Sequence, residues 1–402
     1  MTTSPTPGSS TDSSFIRNGG EILARHFLTQ APVRLRWAEG RITSLTPADP
    51  SDSPVLWLAP ALVDLQINGF AGIDFQQDHL SLEGLLAAMR GLRQAGCTRF
   101  LATLMTAPWP TMMARLRRLR MLREGSAELQ AALAGWHIEG PFLSDEPGFR
   151  GAHDSAAMCN PTPGHIEELR ECAGTDPVLL TLAPERPGAI QAIALAASLG
   201  IKVSLGHTNA PAGVLRQAVQ AGATGFTHLG NGCPRELNRH DNILWRVWEL
   251  EGVTCSLIPD AIHVSPPLFR FMHRLANPTG IYYTTDAMAA AGAPPGRYRL
   301  DQLEVEVGAD QVVRLPGSSL FAGSALTPIE GVRRAARMLG CSWREVWPRF
   351  SEVPARFLGW PPLLQPGAPA DFCLLRASGE DRLEIEDVYS AGRRVSHGRQ
   401  KT

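Results

Sequence analysis

CTRFLATLMTAPWPTMMARLRRLRMLREGSAELQAALAGWHIEG, residues 97–140, reads as strand, helix, strand. The apolar runs CTRFLATL (97–104) and LAGWHIE (133–139) have strand length and end in polar or Gly-containing loops. Between them, WPTMMARLRRLRMLREG (109–125) places apolar residues three and four apart and stops on Gly. That is the spacing of an amphipathic helix with a common C-terminal stop. The unit recurs on both sides. ALVDLQ (61–66) precedes it, and PVLLTLA (177–183), KVSLGH (202–207), ATGFTHL (223–229), GVTCSLIP (252–259) and IYYTTD (281–286) follow. Helix-patterned stretches such as LSLEGLLAAMRGLRQAG (80–96), GAIQAIALAASLG (188–200) and PAGVLRQAVQAG (211–222) separate them. Eight strands alternating with helices is the count of an α/β chain folded as a (β/α)8 TIM-type barrel. The first strand is not followed by the GxGxxG turn of a dinucleotide-binding sheet.

Outside this span the pattern changes. Residues 15–58 carry short alternating pieces such as VRLRWAEGRITSL, and ADFCLLRASGEDRLEIEDVYSAGRRV near the other end also reads as strands and turns. Neither segment is large enough to bury a core alone. The expected organisation is a barrel over 59–359 and one small β-sandwich built from 15–58 and 360–402. A polar, Pro/Ser-rich tail, MTTSPTPGSSTDSS (1–14), is expected to be disordered.

Composition excludes several classes of function. Thirty-eight Lys+Arg against 39 Asp+Glu leave no global field to attract nucleic acid or an anionic membrane, so any anion must be recognised locally. Seven scattered cysteines without a CxxC pair suit a reducing compartment, and neither a signal peptide nor an 18-residue apolar run is visible. A cytoplasmic enzyme is expected.

Polar residues fall at the C-terminal ends of the strands, the catalytic face of such barrels. Glu139 closes strand three, His207 strand five, His228 strand six and Asp286 strand eight. A lone histidine at a strand end is ordinarily a satisfied polar residue. Four such groups converging on one mouth are better explained by a catalytic metal site, which commonly takes three protein ligands and keeps a position for water. Glu139, His207 and His228 supply the ligands, and Asp286 is the natural base for the water. His137, two residues before Glu139, points the same way one layer deeper and reads as a support beneath the ligands or as core, not as a ligand.

With these residues in view, the chain resembles the N-acetylglucosamine-6-phosphate deacetylases of the amidohydrolase superfamily. The motifs are DLQINGFAGIDF (64–75), HIEGPFL (137–143), GAH (151–153), GHTNA (206–210), THLGNGCP (227–234), DAIHV (260–264), TTDAMAAAG (284–292) and GSALTPIEGV (323–332). The likeness resumes at GAPADFCLL (367–375). It implies that Glu139, His207 and His228 hold metal and that Asp286 is the acid/base. It further implies that His153 holds the substrate carbonyl or sugar, that Asn231 and His263 contact the sugar phosphate, and that Arg239 binds the phosphate, from across a homodimer interface in one arrangement. Where many amidohydrolases carry HxH on strand one for a second metal, this chain has Gln66 and Asn68, poor zinc ligands. One divalent ion per chain is expected, Zn2+ first, with Fe2+ or Co2+ as substitutes.

The segment HLGNGCPRELNRHDNILW (228–245) departs from the usual family form. That form has a bulky residue before the Asn, Ala-Met after it, and Arg-Glu-Pro where this chain has Arg239-His240-Asp241. Gly230 in place of a larger residue opens the pocket. Asp241 would oppose an anion if it faced inward, or else pairs locally with His240. The expected reaction is hydrolysis of the N-acetyl group of an amino-sugar 6-phosphate. The alternatives are another N-acyl sugar or N-acyl amino acid, and, in a different class, a sugar-phosphate-binding protein without catalysis.

Overall fold

The computed structural model describes residues 19–316, 321–378 and 382–397. The expected disordered tail, 1–14, lies outside the described residues. Eight parallel strands run in chain order around one sheet: Leu62–Ile67, Cys97–Met105, Leu133–Glu139, Val178–Leu182, Lys202–Leu205, Ala223–Phe226, Thr254–Leu257 and Ile281–Tyr283. The ends of that order meet. Ile67 bridges Ala287 in parallel, and Asn68 N–H donates to Ala287 O at 2.7 Å. Asp64 of strand one accepts from the hydroxyl and N–H of Thr285, just past strand eight. The sheet is therefore a closed (β/α)8 barrel, as the alternation of runs predicted.

The helices follow from local chemistry. Ser81 caps Leu82–Gln94 by accepting from Gly84 N–H, and Leu85, Ala88, Met89 and Leu92 form its buried face. Inside the barrel, Val63, Leu65, Leu101, Leu179 and Tyr282 form an apolar floor with Phe357 of the short helix Glu352–Phe357. Above it lies a polar layer. His137 contacts Thr103 (3.3 Å) and Thr181 (2.8 Å), Thr181 contacts Thr227 (2.7 Å), and Thr227 donates to Ser204 (2.7 Å). Each member is fully or almost fully buried and has a partner, so the layer is a rigid platform beneath the mouth. His137 belongs to it, as the strand alternation indicated.

Both chain ends contribute to one seven-stranded sheet. Its order is Arg393–His397, Arg382–Ser390, Phe372–Ser378, Trp57–Pro60, Gly20–His26, Pro32–Ala38, Arg41–Pro47. The sheet curls on itself: Trp37 and Phe372 rings meet at 5.3 Å although two strands separate theirs, and Ile42 exchanges backbone bonds with Gly367 and Ala368. Leu35, Trp37, Leu58 and Phe372 fill the enclosed core. Beyond strand eight the chain makes a three-stranded antiparallel insert, Gly296–Leu300, Leu303–Val307 and Val313–Arg314. Its Leu300, Val305 and Val313 pack on Met288–Ala290, steadying the loop that carries Asp286.

Candidate active site

Glu139 is the last residue of strand three and is nearly fully buried. The other three groups do not close their strands as expected. Strands five, six and eight stop at Leu205, Phe226 and Tyr283. His207, His228 and Asp286 follow two, two and three residues later, with φ of 50°, 34° and 51°. Left-handed backbone is uncommon for residues other than Gly and clusters at functional sites. Here it turns each side chain back over the barrel mouth. Two backbone bonds, Thr227 N–H to Leu205 O (2.8 Å) and Thr284 N–H to Leu257 O (3.1 Å), and one to a side chain, His228 N–H to Ser256 Oγ (2.7 Å), keep the turns in register.

Glu139, His207 and His228 each offer a ligand atom, all within 4.8 Å of one another, the one such group found among the described residues. His228 Nε2 lies 2.8 Å from Glu139 Oε1, and His207 Nε2 lies 3.5 Å from the same oxygen. His207 Nδ1 bonds the Phe149 carbonyl at 2.8 Å. A carbonyl only accepts, so Nδ1 carries a proton, and in the neutral tautomer the Nε2 lone pair faces the carboxylate. Two acceptors facing each other in a buried site call for a cation between them. The backbone carbonyl on the far nitrogen is also the usual outer support of a metal-binding histidine. The donor set fits a divalent metal. Gln66 Nε2 donates to Glu139 Oε1 at 3.0 Å, which orients that carboxylate.

Asp286 faces the same space, with Asn68 Nδ2 donating to its Oδ1 at 2.7 Å. Burial first, and the Glu139 charge second, push the Asp286 carboxyl up to about 7. His228, His263 and Asn68 pull the other way. Burial would also raise Glu139, but N–H donation from the His207 and His228 rings in their protonated form holds it well below the carboxylate range. His153 stacks edge-on to His207 at 4.5 Å, and its buried Nδ1 has no partner in the protein. Burial, with the His207 charge next, lowers it to about 3, so it is a neutral imidazole at physiological pH.

These groups line one cavity of about 460 Å3, which also takes in Asn231, His263, Gly230 and Arg235. Burial alone would lower His263, but the Asp260 carboxylate at 2.5 Å from its Nδ1 raises it. Of the expected metal ligands, acid/base and substrate contacts, Arg239 alone does not line the cavity. It is exposed, outside the lining, and its Nε donates to the ring of His240 at 3.1 Å. Asp241 neither faces inward nor pairs with His240. It binds Arg246 at 2.6 Å. The loop turns outward there because Asn238 Oδ1 accepts from the N–H groups of His240 and Asp241. Sequence reasoning passed over Arg235 and Phe321, both lining residues. A larger cavity, about 670 Å3, lies beside the three-stranded insert and contains none of the metal-capable cluster.

No family model matches the chain. Individual proteins do. An N-acetylglucosamine-6-phosphate deacetylase of Danio rerio is 34% identical over 349 residues, covering 84% of each chain. The chain belongs to the N-acetylglucosamine-6-phosphate deacetylase family of the amidohydrolase superfamily. An N-acetylgalactosamine-6-phosphate deacetylase of Escherichia coli is 30% identical over 386 residues, 93% of this chain and 99% of that one. Among solved structures, the N-acetyl-D-glucosamine-6-phosphate deacetylase of Mycobacterium smegmatis superposes with a TM-score of 0.84. It is 30% identical, covers 94% of this chain and 99% of its own, and was solved in complex with N-acetyl-D-glucosamine-6-phosphate.

Proposed function

We propose that the enzyme hydrolyses N-acetylglucosamine 6-phosphate to glucosamine 6-phosphate and acetate, with one divalent cation held by Glu139, His207 and His228. The observation that carries this reading is the convergence of ligand atoms from Glu139, His207 and His228 within 4.8 Å of one another, with Asp286 facing the same space. Zn2+ suits the mixed nitrogen and carboxylate set best, and Fe2+ or Co2+ can substitute. When bound, such a cation polarises an amide carbonyl and acidifies water.

The protein's own groups do the rest. Asp286, ionised, takes a proton from the attacking water as its oxygen bonds to the acetamide carbon. It returns that proton to the nitrogen as the C–N bond breaks, giving acetate and the free amine. His153, neutral, directs an N–H toward the carbonyl oxygen as negative charge gathers there. Asn68 holds Asp286, and Gln66 holds Glu139. Asn231 and His263 contact the sugar and its phosphate. In a homodimer, Arg239 would reach a phosphate only in the partner's cavity, since it faces away from its own. A cytoplasmic enzyme fits the seven free cysteines, and none of the described helices is long and apolar enough to cross a membrane.

The test is acetate release from N-acetylglucosamine, N-acetylgalactosamine and N-acetylmannosamine, each with and without 6-phosphate. The largest kcat/KM is expected for N-acetylglucosamine 6-phosphate. A larger value for the galactosamine isomer would favour a second reading, one supported by the Escherichia coli relative and by the absence of a side chain at Gly230. Failure to release acetate from all six would end the deacetylase proposal.

A further inference from the structure

We propose that Asp64 is a positioning residue for Asp286, which it holds through the hydroxyl of Thr285. This rests on the acid/base reading of Asp286 above. Asp286 has φ of 51°, and left-handed backbone at such a residue persists only where its surroundings over-determine it. The Thr285 hydroxyl donates to Asp64 Oδ2 at 2.6 Å and accepts from Ala287 N–H at 3.1 Å, so the relay spans Asp286. A hydroxyl has one proton, and giving it to Asp64 turns the lone pairs toward Ala287. Asp64 is wholly buried on strand one. It also accepts the Thr285 N–H at 3.0 Å, the Gln66 N–H at 3.2 Å and the Thr284 hydroxyl.

Closing the barrel does not by itself call for a carboxylate here. The parallel bridge between Ile67 and Ala287 and the bond from Asn68 N–H to Ala287 O already join strands one and eight. A buried acid whose partners are hydroxyls and backbone N–H groups, none of them charged, is costly to keep ionised. Burial pushes the Asp64 carboxyl up to about 6, against the pull of the bonds from Thr284, Thr285 and Gln66. What the carboxylate adds is two acceptor oxygens at once. Oδ1 takes the Gln66 N–H and Oδ2 the Thr285 N–H, so an amide in either orientation would set its NH2 against a donor. Ser324 completes the hold from the other side, its N–H donating to Asp286 O at 2.9 Å and its hydroxyl to Thr285 O. Asn68 then fixes the Asp286 side chain on a backbone that is already set. A base misplaced by about 1 Å can cost ~100-fold in rate, so this hold bears on turnover rather than on binding.

The experiment uses the full, metal-loaded protein and acetate release from N-acetylglucosamine 6-phosphate. Thr285→Val keeps the shape and removes the hydroxyl, Thr285→Ser keeps the hydroxyl, and Asp64→Asn tests the carboxylate itself. Thr285→Val should lower kcat ~10- to 100-fold, with KM within about threefold of wild type and metal content unchanged. Thr285→Ser should stay within about threefold in kcat, and Asp64→Asn should lose at least as much as Thr285→Val. Hydrogen exchange in a peptide spanning 284–292 gives a second readout that needs no turnover. The Ala287 amide should exchange at least ~10-fold faster in Thr285→Val than in wild type or Thr285→Ser. The proposal is overturned if Thr285→Val and Asp64→Asn lower the melting temperature yet leave kcat per metal-loaded chain within about twofold. It is equally overturned if Thr285→Ser loses as much as Thr285→Val, or if exchange at Ala287 does not change. Should Asp64→Asn fail to fold, the two Thr285 variants decide. Should wild type release no acetate at all, the acid/base reading fails while exchange still decides whether Asp64 and Thr285 hold the turn.

Discussion

The two ends of the catalytic cavity are built differently. At the metal end three of the functional groups are held by hydrogen bonds: Glu139, at the end of strand three, by Gln66, His207 by the Phe149 carbonyl, and Asp286 by Asn68. Beneath them lies the hydrogen-bonded platform from Thr103 to Ser204. At the other end the wall is a loop, residues 230–242, held largely by its own side-chain-to-backbone bonds and with several residues exposed. Chemistry that tolerates little displacement sits on the rigid part, and recognition sits on the part that can vary. Members of one family can thereby share a reaction and differ in the sugar they accept.

Changes at the metal end should do the most harm. Glu139→Gln replaces the anionic ligand with an amide, and the variant should lose more than ~100-fold in metal affinity, along with its activity. Elemental analysis after dialysis reads this directly. Retention of one ion per chain would mean that His207 and His228 suffice, contrary to the proposed ligand set.

Asn68→Ala is the next largest change. Asn68 donates to the Asp286 carboxylate and so favours its ionised form, which means its removal raises the Asp286 pKa. The base must be ionised, so kcat/KM falls as pH drops through that value. A bound cation offsets the Glu139 charge, so in the loaded enzyme the acidic limb should lie below about 7. In the variant it should move upward, with a ~10- to 100-fold loss of activity at neutral pH. A limb that stays in place, or moves down, would detach Asn68 from the base.

A smaller effect is expected at the loop end. Gly230 has φ of 98°, and a β-carbon there would sit 3.3 Å from Val264 Cγ2. Gly230→Ala should destabilise the protein by about 1–2 kcal/mol in thermal or denaturant unfolding. Metal content should not change, and KM for the sugar should rise more than kcat falls. Loss of metal would show that the two ends are mechanically coupled and weaken the contrast between them.

The same contrast explains what was legible in the sequence. Strand-borne groups obey a period of two, so HIE placed Glu139 in the mouth and His137 a layer below, and both are where the alternation puts them. His207, His228 and Asp286 were correctly placed at the mouth but not at the strand ends. Their left-handed turns depend on tertiary bonds, such as that from His228 N–H to Ser256, which no local pattern encodes. Gln66 and Asn68 were read for what they lack as ligands, and their positive role as donors to Glu139 and Asp286 needed the geometry. Arg239 is matched by resemblance alone, in a loop without periodicity, and Asn238 turns the chain there so that it lies outside its own cavity. The three-stranded insert was missed despite the alternation of LEVEV (303–307), a signal that was there to be read.

The most direct test of the whole account is Asp286→Asn, assayed for metal content and turnover on one preparation. The amide keeps the shape and some hydrogen bonding of the carboxylate but cannot take a proton from water. One tightly held divalent ion per chain should remain, while kcat falls at least ~10²-fold. Nearly normal turnover with the ion in place would contradict the account and turn the search for the base to His153.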